Sequence, residues 1–136
     1  MSLKFNKAFS TVLVRKNYGE CFDFYTKKIG LVPIWGDRNG PYTGFATKEG
    51  EECCFAIFSA DGQSAYKGYI KPTATAQPDT ISFGIPSDNV DEDYKRLKEA
   101  GVEFMSEPQT IEDWGIRCAY FRDPEGNLLT LDGDII

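Results

Sequence analysis

The same order of elements is written twice in this chain, and a duplication of that kind limits the possible folds more tightly than composition does. In the first half a β-branched run, Phe9-Ser-Thr-Val-Leu-Val14, leads through turn-prone residues to Glu20–Ile29, where Cys21, Phe24, Tyr25 and Ile29 recur at helical spacing before Gly30-Leu31-Val32-Pro33. In the second half Ile81-Ser-Phe-Gly-Ile85 turns through Pro86 to Asn89, then Val90, Tyr94, Leu97 and Ala100 share one helical face that stops at Gly101-Val102. Val14 and Ile85 stand 71 positions apart, and so do Gly30 and Gly101, so strand and helix repeat without a gap.

Each half closes with a hairpin of similar turn chemistry, Phe45-Ala-Thr-Lys-Glu-Gly50 and Phe121-Arg-Asp-Pro-Glu-Gly126, each leading into an apolar strand. The second helix has well-formed ends. Ser87 or Asp88 is placed to cap it, Asp91 and Glu92 fall in its first turn, and Lys95, Arg96 and Lys98 lie toward its C-terminus. Asp61 to Pro78 is rich in Gly, Ser, Thr, Ala and Pro but embeds Tyr66, Tyr69 and Ile70, which suggests a connector that packs over a pocket. The expectation is a single α+β domain over 1–136, with module one at about 5–60, the connector at about 61–78 and module two at about 79–136.

Composition then removes whole classes of function. The 136 residues, 41% hydrophobic and 26% charged, suit one globular unit. The longest strictly apolar run, Cys53 to Phe58, falls far short of the roughly 20 residues of a membrane helix, and no signal-peptide core is seen, so a cytoplasmic protein is expected. The chain has no histidine, which excludes Ser-His and Cys-His catalytic pairs, the facial triad of two histidines and a carboxylate, and histidine-ligated zinc. A net charge of −6 opposes nucleic-acid binding and mildly favours a cationic or neutral ligand. Cys21, Cys53, Cys54 and Cys118 form no C-x-x-C pair and read as reduced packing residues.

Taken together, these residues resemble the vicinal oxygen chelate superfamily, which includes glyoxalase I, extradiol dioxygenases, fosfomycin-modifying enzymes and bleomycin resistance proteins. The resemblance is carried by Phe24-Tyr25 with Ile29-Gly30-Leu31, by Val90 to Gly101, by Trp114-Gly115-Ile116-Arg117 and above all by Phe121-Arg-Asp-Pro-Glu-Gly-Asn-Leu-Leu129. It implies two tandem βαβββ modules whose curved mixed sheets form a concave ligand cavity. Enzymes of the superfamily usually hold a divalent metal there, and their pattern places the ligands at Phe9, Cys54, Thr80 and Thr130 of this chain. A phenyl ring, a thiol and two hydroxyls make a poor cage for such an ion. Glu52 and Asp132, each two residues from Cys54 and Thr130, keep a carboxylate-only site open.

Without a metal, the cavity would bind through ring stacking, apolar burial and a few polar groups. Trp35 and Tyr42 fall in the hairpin region of module one, and Trp114 in that of module two beside Glu112 and Asp113, although aromatics in strands are commonly core. Arg117 either orients a carboxylate or phosphoryl group or points to solvent. Tyr120 and Phe121 alternate across the sheet. The candidate ligand-binding residues are therefore Trp35, Tyr42, Cys54, Thr80, Trp114, Arg117 and Thr130, with no catalytic residue, metal or cofactor expected. Three functions follow from the resemblance. The first is metal-free binding of a small molecule, cationic or aromatic and in some relatives an antibiotic, by a homodimer. The second is a glyoxalase- or dioxygenase-type enzyme with a histidine-free site, and the third a non-catalytic partner domain.

Overall fold

The computed structural model describes residues 4–63, 67, 79 and 81–135. The chain divides into two compact units, Met1–Thr75 and Ala76–Ile136, referred to below as module one and module two.

Module one is a four-stranded mixed sheet. Strands β1 (Ser10–Val14), β2 (Val32–Trp35), β3 (Tyr42–Ala46) and β4 (Phe55–Ser59) lie in the order β1-β4-β3-β2. β1 runs parallel to β4, and the other pairs are antiparallel. The helix expected over Glu20–Ile29 begins earlier and changes character: α1 (Tyr18–Asp23) widens into a π turn over Phe24–Lys28, in which the Ile29 N–H donates to the Phe24 carbonyl at 3.1 Å. The wide turn buries both Phe24 and Tyr25, and Gly30 then ends the element in a left-handed conformation (φ 92°). Strand alternation decides the rest. Val12, Val14, Phe45, Phe55 and Ile57 are buried with Cys21, Phe24 and Tyr25, with the Tyr25 and Phe55 rings 4.7 Å apart. A short helix, α2 (Ala60–Gln63), follows β4, while Tyr66, Tyr69 and Ile70 of the expected connector lie outside the described residues.

Module two repeats the plan. Strands β5 (Ser82–Pro86), β6 (Gln109–Ile111), β7 (Ile116–Arg122) and β8 (Leu128–Asp134) lie in the order β5-β8-β7-β6, with β5 parallel to β8. Helix α3 (Val90–Glu99) buries Val90 and Leu97, and Tyr94 meets Phe104, which in turn meets Phe121. Its cap differs from expectation: Asn89, in extended backbone immediately before Val90, accepts from the Glu92 N–H at 3.1 Å. Ser87 supports that cap by accepting from the Asn89 N–H and donating to Asp93. In the closing hairpin Asp123 accepts from the backbone of Glu125 and Asn127 and from the Asn127 side chain, which explains why an Asp-Pro-x-Gly-Asn turn is so well defined. The α+β architecture of two βαβββ modules is the one that the family resemblance implied. Among the described residues no helix is long and apolar enough to cross a membrane.

Candidate ligand-binding faces

Each sheet has one face against its helix and one face turned away from it. On module one the register pairs Tyr42 with Phe58 and Gly44 with Ala56, so these four side-chain positions share the face opposite Phe45, Phe55 and Tyr25. Four rings form a chain of contacts there. Phe9 meets Trp35 edge-on at 6.1 Å, Trp35 meets Tyr42 edge-on at 5.6 Å, and Tyr42 stacks on Phe58 at 4.4 Å. Gly44 seats the indole, since a Cβ at that position would stand 2.4 Å from Trp35 Cζ2. Phe9 and Trp35 remain 41% and 40% exposed, so this aromatic cluster is accessible, unlike the core on the other face.

Cys54 lies one residue before β4 and is exposed, with its N–H donating to the Phe45 carbonyl. Partial desolvation, and then the neighbouring Cys53, push its thiol pKa above the ordinary value. Glu52 is engaged with Lys7 at 3.3 Å.

On module two the alternation places Gly84, Thr130 and Tyr120 in one cross-strand row and Pro86, Asp132 and Cys118 in the next. Thr130 is buried, and its hydroxyl shares one proton between the Leu131 carbonyl and Asp132 Oδ1, each at 3.2 Å. Cys118 is buried, and its thiol pKa is raised first by desolvation and then by Asp132. Asp132 also lines a cavity of about 540 Å³ at the N-terminal end of α3.

Arg117 is not brought to this face. It pairs across the strands with Gly133, where an added Cβ would meet Ser87 and Val90, so it lies on the helix side. There its guanidinium holds both Asp91 oxygens at 2.7 and 2.8 Å and donates to Thr110 at 2.8 Å. The side chain is neither turned to a ligand nor free in solvent: it ties β7 to α3 and holds the Asp91 carboxyl below its usual range. Trp114 sits on a single helical turn, Glu112–Trp114, and is 71% exposed. Thr80 lies outside the described residues. Phe58 and Gly44 were missed as site positions, although the alternation of Gly44 with Phe45 and of Ala56 with Phe55 and Ile57 carried the signal.

The sequence model of the Glyoxalase/Bleomycin resistance protein/Dioxygenase superfamily matches residues 7–131. The chain belongs to this superfamily. The chain is 25% identical over 122 residues to the uncharacterized protein YraH of Bacillus subtilis (strain 168), spanning 88% of this chain and 91% of that one. Its fold is similar to that of a glyoxalase/bleomycin resistance protein/dioxygenase from Nocardioides, with a TM-score of 0.74 and 22% identity over 99% of this chain and 86% of the other. A lactoylglutathione lyase from Agrobacterium tumefaciens shares the fold at a TM-score of 0.68 and 19% identity, over 93% of this chain and 92% of that one.

Enzymes of the Glyoxalase/Bleomycin resistance protein/Dioxygenase superfamily usually hold a divalent metal, but the donors here do not fit one. Phe9 offers a ring packed on Trp35, Cys54 a single thiol, and Thr130 a buried hydroxyl already within 3.2 Å of the Leu131 carbonyl and Asp132. Among the described residues no group of three or more His, Cys, Asp or Glu side chains is arranged to hold a metal ion.

Proposed function

We propose that this superfamily member binds a flat aromatic small molecule on the helix-free face of module one, and that its role is binding rather than metal-centred chemistry. One observation carries the reading: Phe9, Trp35, Tyr42 and Phe58 form a continuous, partly exposed run of rings over a sheet whose core is complete without them. Edge-on neighbours give such a ligand both a face to stack on and edges to meet, each ring pair contributing about 0.5–1.5 kcal/mol beyond its burial. Sequestration of a drug-like aromatic in the cytoplasm by a homodimer is the finer form of this proposal.

The chain has two tryptophans, so in a Trp114→Phe protein all tryptophan emission comes from Trp35. Titration with the quencher 4-nitrobenzyl alcohol should then give saturable quenching, and Tyr42→Ala should weaken the apparent affinity about tenfold, the effect of losing about 1.4 kcal/mol. Linear quenching alone, unchanged by Tyr42→Ala, would contradict the proposal.

A further inference from the structure

The aromatic face of module one carries polar groups beside its rings, and the pairing of β1 with β4 fixes where they stand. Partners in this pair are 45 positions apart, from Ser10 with Phe55 to Val14 with Ser59. The Lys7–Glu52 ion pair, at 3.3 Å, keeps the same separation beyond the strand ends. Phe9 therefore stands beside Cys54, and Thr11 beside Ala56. Because Phe55 and Ile57 belong to the core, alternation turns Cys54, Ala56 and Thr11 to the face on which Phe9 meets Trp35.

Exposure on this face is uneven. Ala46 and Ala56 are covered and Tyr42 and Phe58 half-buried, whereas Phe9, Thr11, Trp35 and Cys54 are exposed. A ring laid against Phe9 and Trp35 has Thr11 two residues along β1, about 7 Å from Phe9. Among the described residues no hydrogen bond engages the Thr11 hydroxyl. Charge is missing from the face: none of the four strands of module one contains a charged residue. At its border Lys7 is paired with Glu52 and Lys48 with Glu51, and Arg15, one residue past β1, has an interaction of its own. A charged ligand group would lose water here and meet no opposite charge, whereas a hydroxyl exchanges one hydrogen bond for another.

We infer that this face selects uncharged aromatic ligands bearing a hydroxyl group, phenols or aromatic alcohols, and that Thr11 is the residue that anchors the hydroxyl. The inference rests on the aromatic-ligand reading above and adds the ligand's charge class and its polar contact. Ring faces and a net charge of −6 would by themselves favour a cation, so an organic ammonium is the most demanding competitor. Selection against it comes from the missing counter-charge, and selection against a plain hydrocarbon ring from Thr11.

Four probes that share one nitrophenyl ring test this by quenching Trp35 in the Trp114→Phe protein: 4-nitrobenzyl alcohol, 4-nitrotoluene, 4-nitrobenzoate and 4-nitrobenzylammonium. The alcohol should bind about tenfold more tightly than either charged probe and about fivefold more tightly than nitrotoluene, the scale of one neutral hydrogen bond. Thr11→Val keeps the β-branched shape and removes the hydroxyl. It should bring the alcohol to the affinity of nitrotoluene and leave nitrotoluene unchanged, while Thr11→Ser should retain the preference. An ammonium probe that binds as tightly as the alcohol, or an alcohol preference that survives Thr11→Val, would overturn the inference while leaving aromatic binding standing. So would an equal weakening of alcohol and nitrotoluene in Thr11→Val, since shape alone would then matter. Failure of all four probes to quench saturably would overturn both readings.

Discussion

The indole of Trp35 rests on Gly44, close enough that any Cβ there would collide with Cζ2 at 2.4 Å. Gly44 has ordinary strand backbone, so Gly44→Ala changes space and not conformation. The variant is expected to fold with a cost of about 1–3 kcal/mol from overpacking. Displacement of Trp35 should also shift its emission to the red in a Trp114→Phe background, measured by fluorescence and urea unfolding. Unchanged emission would show that the ring has room to move without leaving its seat.

The Arg117–Asp91 pair should give stability a pH dependence. Asp91 has a lowered carboxyl pKa in the folded state through its hydrogen bonds to Arg117. A depressed folded pKa stabilises the fold above the unfolded value, near 3.9, and loses that contribution as pH falls through the folded value. The difference in unfolding midpoint between the unmodified protein and Asp91→Asn should therefore be constant from about pH 7 to pH 5 and shrink below about pH 4. Arg117 stays charged throughout, as a guanidinium does at any of these pH values.

Asn89 supplies the helix cap that was expected from Ser87 or Asp88. Removing its side chain in Asn89→Ala should cost about 1 kcal/mol in chemical denaturation. Asp88→Ala should cost less. An Asp88→Ala effect as large as that of Asn89→Ala would contradict the cap assignment.

Thiol reactivity provides a separate check on the strand faces. Cys21 and Cys118 are buried, Cys53 is partly covered, and Cys54 is exposed. Ellman's reagent should label Cys54 first in the native protein and reach Cys21 and Cys118 only after unfolding. The raised Cys54 pKa predicts that its labelling rate keeps increasing to higher pH than for a free cysteine thiol.

The architecture was legible in the sequence because strand and helix repeat with one spacing, and because the Asp123 carboxylate satisfies the donors of the Asp123–Asn127 turn. The placement of Tyr120 and Phe121 on opposite faces followed from alternation alone: Phe121 is buried while Tyr120 is 37% exposed. What the sequence did not show depended on partners distant along the chain. Arg117 could not be placed without knowing that Asp91 faces it from α3, 26 residues away. The π turn at Phe24–Lys28 has no signature separable from an ordinary helix of the same residues. Glu52 and Cys54 were expected on one strand face, but β4 begins only at Phe55, and of the two Cys54 is tied to β3, through its N–H on the Phe45 carbonyl.

Binding on the aromatic face of module one requires Trp35 to meet the ligand. Its two tryptophans give this protein two indole N–H resonances, assignable with Trp114→Phe. On titration with 4-nitrobenzyl alcohol, the Trp35 signal should move saturably while that of Trp114 stays in place. A Trp35 signal that does not move up to the solubility limit of the probe, or saturable movement at Trp114 alone, would contradict the aromatic face of module one as a binding site.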